Sequence, residues 1–368
     1  MSNSLQLTNI GELVTANSAG VERYQNSSLC IEDGKISSIS DRNGDQIIDC
    51  GGKMVTAGFV DSHTHPVFYN KRDEEYRMRL AGATYEEIAE KGGGIISSVE
   101  GVRNASKEAL VEKVMQRMDR FIAGGTTTIE AKSGYGLNTD SELKSLSVID
   151  EVNQNHPIDM VPTFMGAHAF PKEFSNDHDA YIDLICNEMI PAVTDQGVAI
   201  FNDVFCEDKY FTVDQSRRIL EAGREHGLKP RLHADEFVDS GAAVLAGEIN
   251  AFSADHLMAV SEIGIRSIVD NDVVATLLPG TTFFLGKSNY APARKLIDNN
   301  ITVALATDFN PGSSHIQSMP FIMTLACMHM EMTVDEAFQS VTYNGAKALG
   351  MENEIGSIEV GKKADLIL

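Results

Sequence analysis

The sequence is short of cysteine, of positive charge and of long apolar runs, and each shortage removes a class of protein. Five cysteines, Cys30, Cys50, Cys186, Cys206 and Cys327, are scattered over 368 residues with no C-x-x-C pair. An odd number at such spacing builds neither a disulfide framework nor a zinc-thiolate site, so the thiols are expected to be reduced and mostly buried. Lysine and arginine number 30 against 53 aspartates and glutamates, a formal charge of −23. That charge repels a polyphosphate backbone and no basic cluster with interleaved aromatics offsets it, so no nucleic-acid partner is expected. Apolar runs are broken by Gly, Pro or polar residues before they reach a bilayer's width, and MSNSLQLTNI lacks a basic region followed by an apolar stretch. No membrane association is therefore expected, and the cytoplasm is the expected compartment. Tandem repeats and low-complexity linkers are missing too.

What remains is an ordinary globular composition, 43% hydrophobic and 23% charged, long enough for one large domain and a small one. Eight short β-branched segments alternate with helical ones: Val55 to Val60, Thr126 to Glu130, Asp159 to Phe164, Ala199 to Phe205, Pro230 to His233, Ala251 to Ala254, Val273 to Leu278 and Ile301 to Thr307. Thr212-Val-Asp-Gln215 and Thr333-Val-Asp-Glu336 read as capping boxes, the second opening the helix after the eighth strand. The alternation predicts a (β/α)8 barrel over residues 56–349, with a doubly wound sheet as the alternative. Residues 1–55 read instead as short strands (Leu5 to Leu7, Ser28 to Glu32, Lys35 to Ser38, Gln46 to Asp49) joined by Gly and Asn turns, and residues 350–368 end in the strand-like GSIEVGKKADLIL. Together the two chain ends are expected to form a small β-sandwich-like module.

In a barrel of this kind the strand ends converge on one face, where polar residues are placed for function. Here the first strand ends in Asp61-Ser-His63-Thr-His65, the second leads to Lys132-Ser-Gly-Tyr135, the third ends at His168 and the fourth at Glu207. The fifth ends in His233-Ala-Asp-Glu236, the sixth in Asp255-His256 and the eighth in Thr307-Asp308-Phe-Asn310. Only the seventh, Leu278-Pro-Gly-Thr-Thr282, ends without an ionisable group. Side chains two apart on an extended segment share a side, so His63 and His65 can face one ion, although among ten histidines such a pair also arises by chance. With His233 and Asp308 they would make a three-His, one-carboxylate shell with room for a water. Taken singly, His233 is better explained by a hydrogen-bonded core position, and Asp308 equally well by a helix N-cap. A divalent ion in that shell would bring a water's pKa toward about 7, and hydrolysis is the natural outcome.

The opening His-x-His, the Asp at the eighth strand and the closing Gly-x-Ile-x-x-Gly-Lys-x-Ala-Asp-Leu phrase resemble the amidohydrolase superfamily over nearly the whole chain. Within it, Lys91-Gly-Gly-Gly-Ile95, Lys132-Ser-Gly-Tyr-Gly136, Thr163-Phe-Met-Gly-Ala-His168, His233-Ala-Asp-Glu236, Ser253-Ala-Asp-His-Leu257, Leu278-Pro-Gly-Thr-Thr282 and Ala306-Thr-Asp-Phe-Asn-Pro-Gly-Ser-Ser314 resemble the imidazolonepropionase family. That resemblance implies hydrolysis of the cyclic amide of 4-imidazolone-5-propanoate to N-formimidoyl-L-glutamate, a step of histidine degradation. It implies His63, His65, His233 and Asp308 as ligands of one divalent metal ion, zinc or iron. Glu236, His256 and Asp308 are implied as the catalytic proton handlers, Glu236 and His256 being equally suited to supporting the ligands. Arg72 is implied as the cation for the propanoate, which a chain of this acidity needs locally; on local sequence alone it reads as part of a solvated face. Tyr85, Tyr135, His168, Glu236, Asn310, Gly312 and Ser313 are implied as further substrate contacts; Tyr85 alone would read as a helix-face core residue.

The Gly92-Gly-Gly94 run lacks the Lys-Ser/Thr ending of a phosphate loop and reads as a turn or an active-site cover. The fourth strand ends in Cys206-Glu207-Asp208 with no lysine to bridge two metals, so one metal is expected. The resemblance also implies a longer C-terminus, so the small module is expected to lack part of its strand complement. A purine- or pyrimidine-type deaminase is the alternative reaction, and a barrel that has lost its chemistry the alternative of another kind, against which four filled ligand positions speak. A homodimer is the expected assembly on general grounds.

Overall fold

A computed structural model of the chain describes residues 4–40, 44–82 and 93–368. Eight parallel strands form one sheet in strict chain order: β6 (Phe59–Asp61), β7 (Thr126–Lys132), β8 (Asp159–Ala167), β9 (Phe201–Cys206), β10 (Lys229–Ala234), β11 (Ser253–His256), β12 (Val274–Leu277) and β13 (Val303–Leu305). Helices cover the outside, so most of these strands are buried on both faces, as their near-continuous apolar sequences require. The two edge strands meet just beyond their ends. Asp308 N donates to the His63 carbonyl at 3.1 Å and His65 N to the Phe309 carbonyl at 2.8 Å, so the barrel closes through the residues expected to hold the metal.

The expected first strand is two strands. Val55 to Val60 looks continuous because β-branched and apolar residues follow one another, but the chain changes sheets at Gly58. A Cβ there would lie 2.1 Å from the Thr127 hydroxyl, so only glycine lets β6 come alongside β7. Before it, β5 (Met54–Ala57) pairs in parallel with β1 (Ser4–Asn17) and antiparallel with β14 (Leu366–Ile367). With β2 (Gly20–Glu32), β3 (Lys35–Ser38) and β4 (Gln46–Asp49) these make one six-stranded sheet with a core of its own, which includes Leu7, Leu13, Leu29, Ile36 and Val55. β1 and β2 are far longer than the short strands expected, since they run as one antiparallel ribbon with a bulge between Leu7 and Ile10.

Both capping boxes form, at Thr212/Gln215 and Thr333/Glu336. The second opens Val334–Ser340, and a helix not expected from the sequence, Met319–His329, precedes it after β13. Among the described residues, no helix is long and apolar enough to cross a membrane.

Candidate metal centre and active-site cavity

The inward positions beneath the barrel mouth are polar where a barrel core is ordinarily apolar. Glu130 and Lys132 on β7, Asp203 on β9, Arg231 and His233 on β10, Asp255 on β11 and Asp61 on β6 are all buried, most of them completely. The spacing of two within Glu130/Lys132 and within Arg231/His233 keeps each pair on one side of the sheet. Above them the three imidazoles and one carboxylate expected from the sequence come together. His65 Nε2 lies 3.3 Å from both His63 Nε2 and His233 Nε2, and Asp308 Oδ1 lies 3.6 Å from the Nε2 atoms of His63 and His65. Ligands at about 2.0–2.1 Å from a tetrahedral ion stand about 3.3–3.4 Å from one another, so the spacing matches a single small cation.

Proton positions argue the same way. The Nδ1–H of His63 donates to Asp255 Oδ2 at 2.6 Å and that of His233 to Asp203 Oδ1 at 3.0 Å, which leaves each Nε2 as a lone pair aimed inward. Burial, reinforced by Lys132 and the neighbouring imidazoles, holds His63 well below its ordinary pKa, and burial with His168 does the same for His65. The Nε2 atoms of all three rings thus converge on one point, an arrangement that a positive ion at its centre would satisfy. Asp308 sits at backbone φ +50° and accepts a hydrogen bond from the Thr281 hydroxyl; burial pushes its carboxyl up to about 6. His256, at φ +80°, is within ligand reach of His63 and His233 and lies 3.7 Å from Glu236. Strained backbone of this kind at two strand ends is a recurring mark of functional sites.

The supporting carboxylates are themselves tied down. Lys132 bridges Asp203 at 2.6 Å and Glu130 at 2.8 Å, and Arg231 reaches Asp255 at 3.1 Å and the Ser62 carbonyl at 2.7 Å. Burial works against the Lys132 ammonium, but Asp203 and Glu130 outweigh it and raise its pKa. Lys132 therefore stays a charged strut and is not a neutral amine free for chemistry.

A cavity of about 350 Å³ opens above the cluster. His65, His233, His256 and Asp308 form its floor, with Glu236, His168 and Tyr135 on the walls. Arg72, Arg79, Asn310, Gly312 and Ser313 line it as well. Every expected substrate contact among the described residues therefore borders one space; Tyr85 lies outside the described residues. Burial, followed by the nearby Asp308, raises the pKa of Glu236 well above the ordinary carboxylate range. Burial brings His168 down to about 3; its Nδ1–H donates to the Gly134 carbonyl at 2.9 Å, leaving Nε2 an acceptor. Arg72 is largely buried, with a side chain 14% exposed, and lies against Glu75, so it does not belong to a solvated face.

Sequence reasoning missed Asp203, Thr281, Glu75 and Arg79, and also Lys287, which lines the cavity. Asp203 was detectable as an acidic residue inside the otherwise apolar strand Phe-Asn-Asp-Val-Phe-Cys. Thr281 belongs to the one strand end without an ionisable group, and nothing local marks it.

Residues 54–368 match the Amidohydrolase family. The chain is 50% identical to the imidazolonepropionase of Geobacillus thermodenitrificans over 355 residues, 94% of this chain and 84% of that protein. It is also 50% identical to the imidazolonepropionase of Alkaliphilus metalliredigens over 88% of this chain and 76% of that protein. Among solved structures, a triazine hydrolase variant superposes with a TM-score of 0.81 at 16% identity, covering 99% of this chain and 86% of its own. An adenosine deaminase from Xanthomonas campestris with bound zinc superposes at 0.75 with 18% identity, covering 98% and 83%. At those identities the structural likeness speaks for the fold alone.

Proposed function

The chain belongs to the amidohydrolase family and, within it, to the imidazolonepropionases, and we propose that its cavity opens the ring of 4-imidazolone-5-propanoate with water to release N-formimidoyl-L-glutamate. The observation that carries this reading is a single cavity with a cluster of candidate metal ligands at its floor and guanidinium groups on its wall. A cyclic amide bearing a carboxylate tail needs both.

His63, His65, His233 and Asp308 would hold one divalent ion, zinc or iron, since imidazole and carboxylate together suit either. When bound, that ion supplies Lewis acidity, drawing electrons from a carbonyl oxygen and lowering the pKa of a water toward about 7. The rest falls to side chains. The wall around Arg72 receives the carboxylate, with Asn310, Gly312 and Ser313 offering further donors. Tyr135 and His168, their rings 5.1 Å apart, bound the flat ring, and the His168 Nε2 lone pair accepts from a ring N–H. As water oxygen joins the carbonyl carbon and the carbon–nitrogen bond opens, the leaving nitrogen must gain a proton. We assign that proton, and the recovery of one from the water, to Glu236, whose pKa burial raises and which lies beside His256.

Purified, metal-loaded protein should consume the imidazolone with stoichiometric formation of formimidoylglutamate, followed by absorbance and mass spectrometry. Chelation should stop turnover, and zinc or ferrous iron should restore it. Ammonia release from a purine or pyrimidine with no imidazolone turnover would instead select the deaminase reading, which no feature of the cavity favours. We further propose a cytoplasmic homodimer, for which light scattering should give twice the chain mass of 40.0 kDa.

A further inference from the structure

The cation expected to meet the substrate's carboxylate, Arg72, is already matched. Its Nε donates to both oxygens of Glu75 at 2.9 Å and a terminal nitrogen approaches Oε2 at 2.7 Å. Glu75 also accepts from the Gly94 amide at 2.9 Å, which fixes the pair in place. As a unit, Arg72 and Glu75 are neutral. They offer oriented N–H donors but no net charge, and a chain with a formal charge of −23 needs net positive charge to hold an anion.

That charge is available one helical turn further on. The helix Asp73–Leu80 begins just after Arg72, and positions 72, 75, 76 and 79 fall at i, i+3, i+4 and i+7, a single helical face. Glu74 and Arg77 pair with each other on the opposite face, their side chains 80% and 72% exposed. Arg79 lines the same cavity as Arg72 and donates to the Gly312 carbonyl at 2.7 Å. Its guanidinium carbon is 5.9 Å from the centre of the Tyr76 ring and 5.8 Å from that of Phe284. Among the described residues no carboxylate lies within ion-pair distance of it; Glu75, the acidic group that favours its charge, is engaged by Arg72. Burial, then repulsion from Arg72, lowers the pKa of Arg79, the direction expected of a cation short of a counter-ion. Among the described residues, two guanidinium groups and one carboxylate therefore leave this helical face with one positive charge.

We propose that Arg79 supplies the uncompensated charge that receives the substrate's carboxylate, and that it, more than Arg72, makes the site select an anionic side chain over a neutral one. This rests on the ring-opening reading above. Arg72, oriented by Glu75, contributes direction; Arg79 contributes charge.

The test compares wild-type, Arg79→Gln and Arg79→Lys, all metal-loaded, on imidazolone propanoate and on its neutral propionamide. Losing a charged hydrogen bond to a carboxylate costs about tenfold to a hundredfold in affinity. Arg79→Gln should raise KM for the propanoate by about that factor with kcat nearly unchanged, leave the propionamide unaffected, and so erase the preference between them; Arg79→Lys should recover most of it. An undiminished preference in Arg79→Gln, or an equal loss on both compounds, overturns the proposal. A second arm needs no turnover: calorimetric binding of 3-(imidazol-4-yl)propanoate and of its amide. If the wild type hydrolyses neither imidazolone, the ring-opening reading fails, and the calorimetry still decides on Arg79. Equal affinity of wild-type and Arg79→Gln protein for the carboxylate probe sinks its role there.

Discussion

The two sides of the cavity are built on different plans. Around the metal cluster, four buried carboxylates (Glu130, Asp203, Asp255, Asp308) face two buried cations (Lys132, Arg231), with Asp61, pushed up to about 7 by burial, held apart by Thr307. That side carries an excess of negative charge, which a divalent ion would offset. On the arginine wall, among the described residues, Arg72 and Arg79 face Glu75, and one positive charge is left over. Each side keeps the residual charge opposite in sign to what it would take in. The supports differ as well. The metal side rests on strands β6, β10 and β11 and the loop after β13, locked by hydrogen bonds across the barrel, whereas the arginine side rests on one short helix with an exposed outer face. Ion binding tolerates little misplacement and sits on the rigid part; a carboxylate can be met by long side chains that adjust.

The largest effects should fall on the metal side. His63→Ala should lose bound metal and take turnover to background while the barrel stays folded, as measured by metal analysis, circular dichroism and the ring-opening assay. Normal metal content in that variant would break the assignment of the cluster. Next comes Lys132→Met, which strips the counter-charge from Asp203 and Glu130. Leaving a buried charge unpaired costs about 3–5 kcal/mol, so metal-free Lys132→Met should melt well below metal-free wild type. The added ion, opposing the same negative charge, should narrow that gap. If the gap is the same with and without metal, the strut and the ion do not share an electrostatic account.

The metal side was also the part legible in the sequence, for a physical reason. His63-x-His65, His233 and Asp308 each follow a recognisable strand, and the barrel rule places strand ends at one mouth. The eightfold strand rhythm and both capping boxes were readable because period and cap chemistry are local. Gly58 was not, since its need for a missing side chain comes from Thr127, distant in sequence. Asp203 acts through His233 and Lys132 on two other strands, a relation no window of sequence displays. The arginine side was half visible. Its helical face of Arg72, Glu75, Tyr76 and Arg79 is written in the spacing, but the run Lys71-Arg-Asp-Glu-Glu75 reads equally well as solvated charge. Only the cavity tells which face turns inward.

On that softer side the effects should be smaller and confined to substrate capture. Glu75→Gln keeps the shape of the pair but removes its charge, freeing Arg72 to bind the carboxylate as a full cation while loosening its orientation. Affinity for the anion should therefore change by no more than about tenfold, with kcat and metal content unaltered. A collapse of kcat would mean that Glu75 takes part in the reaction and that the two sides are not separate.

The mildest perturbation is Gly312→Ala. A Cβ there would stand 2.3 Å from one terminal nitrogen of Arg72 and 2.6 Å from its guanidinium carbon, so the side chain must leave its place, and as a flexible end it can. A displaced rotamer costs about 0.5–1.5 kcal/mol, equivalent to about twofold to tenfold in KM. Because the Arg79 bond goes to the Gly312 carbonyl and not to its α-carbon, the preference for propanoate over propionamide should survive. Losing that preference in Gly312→Ala while Arg79→Gln keeps it would exchange the roles given to the two arginines.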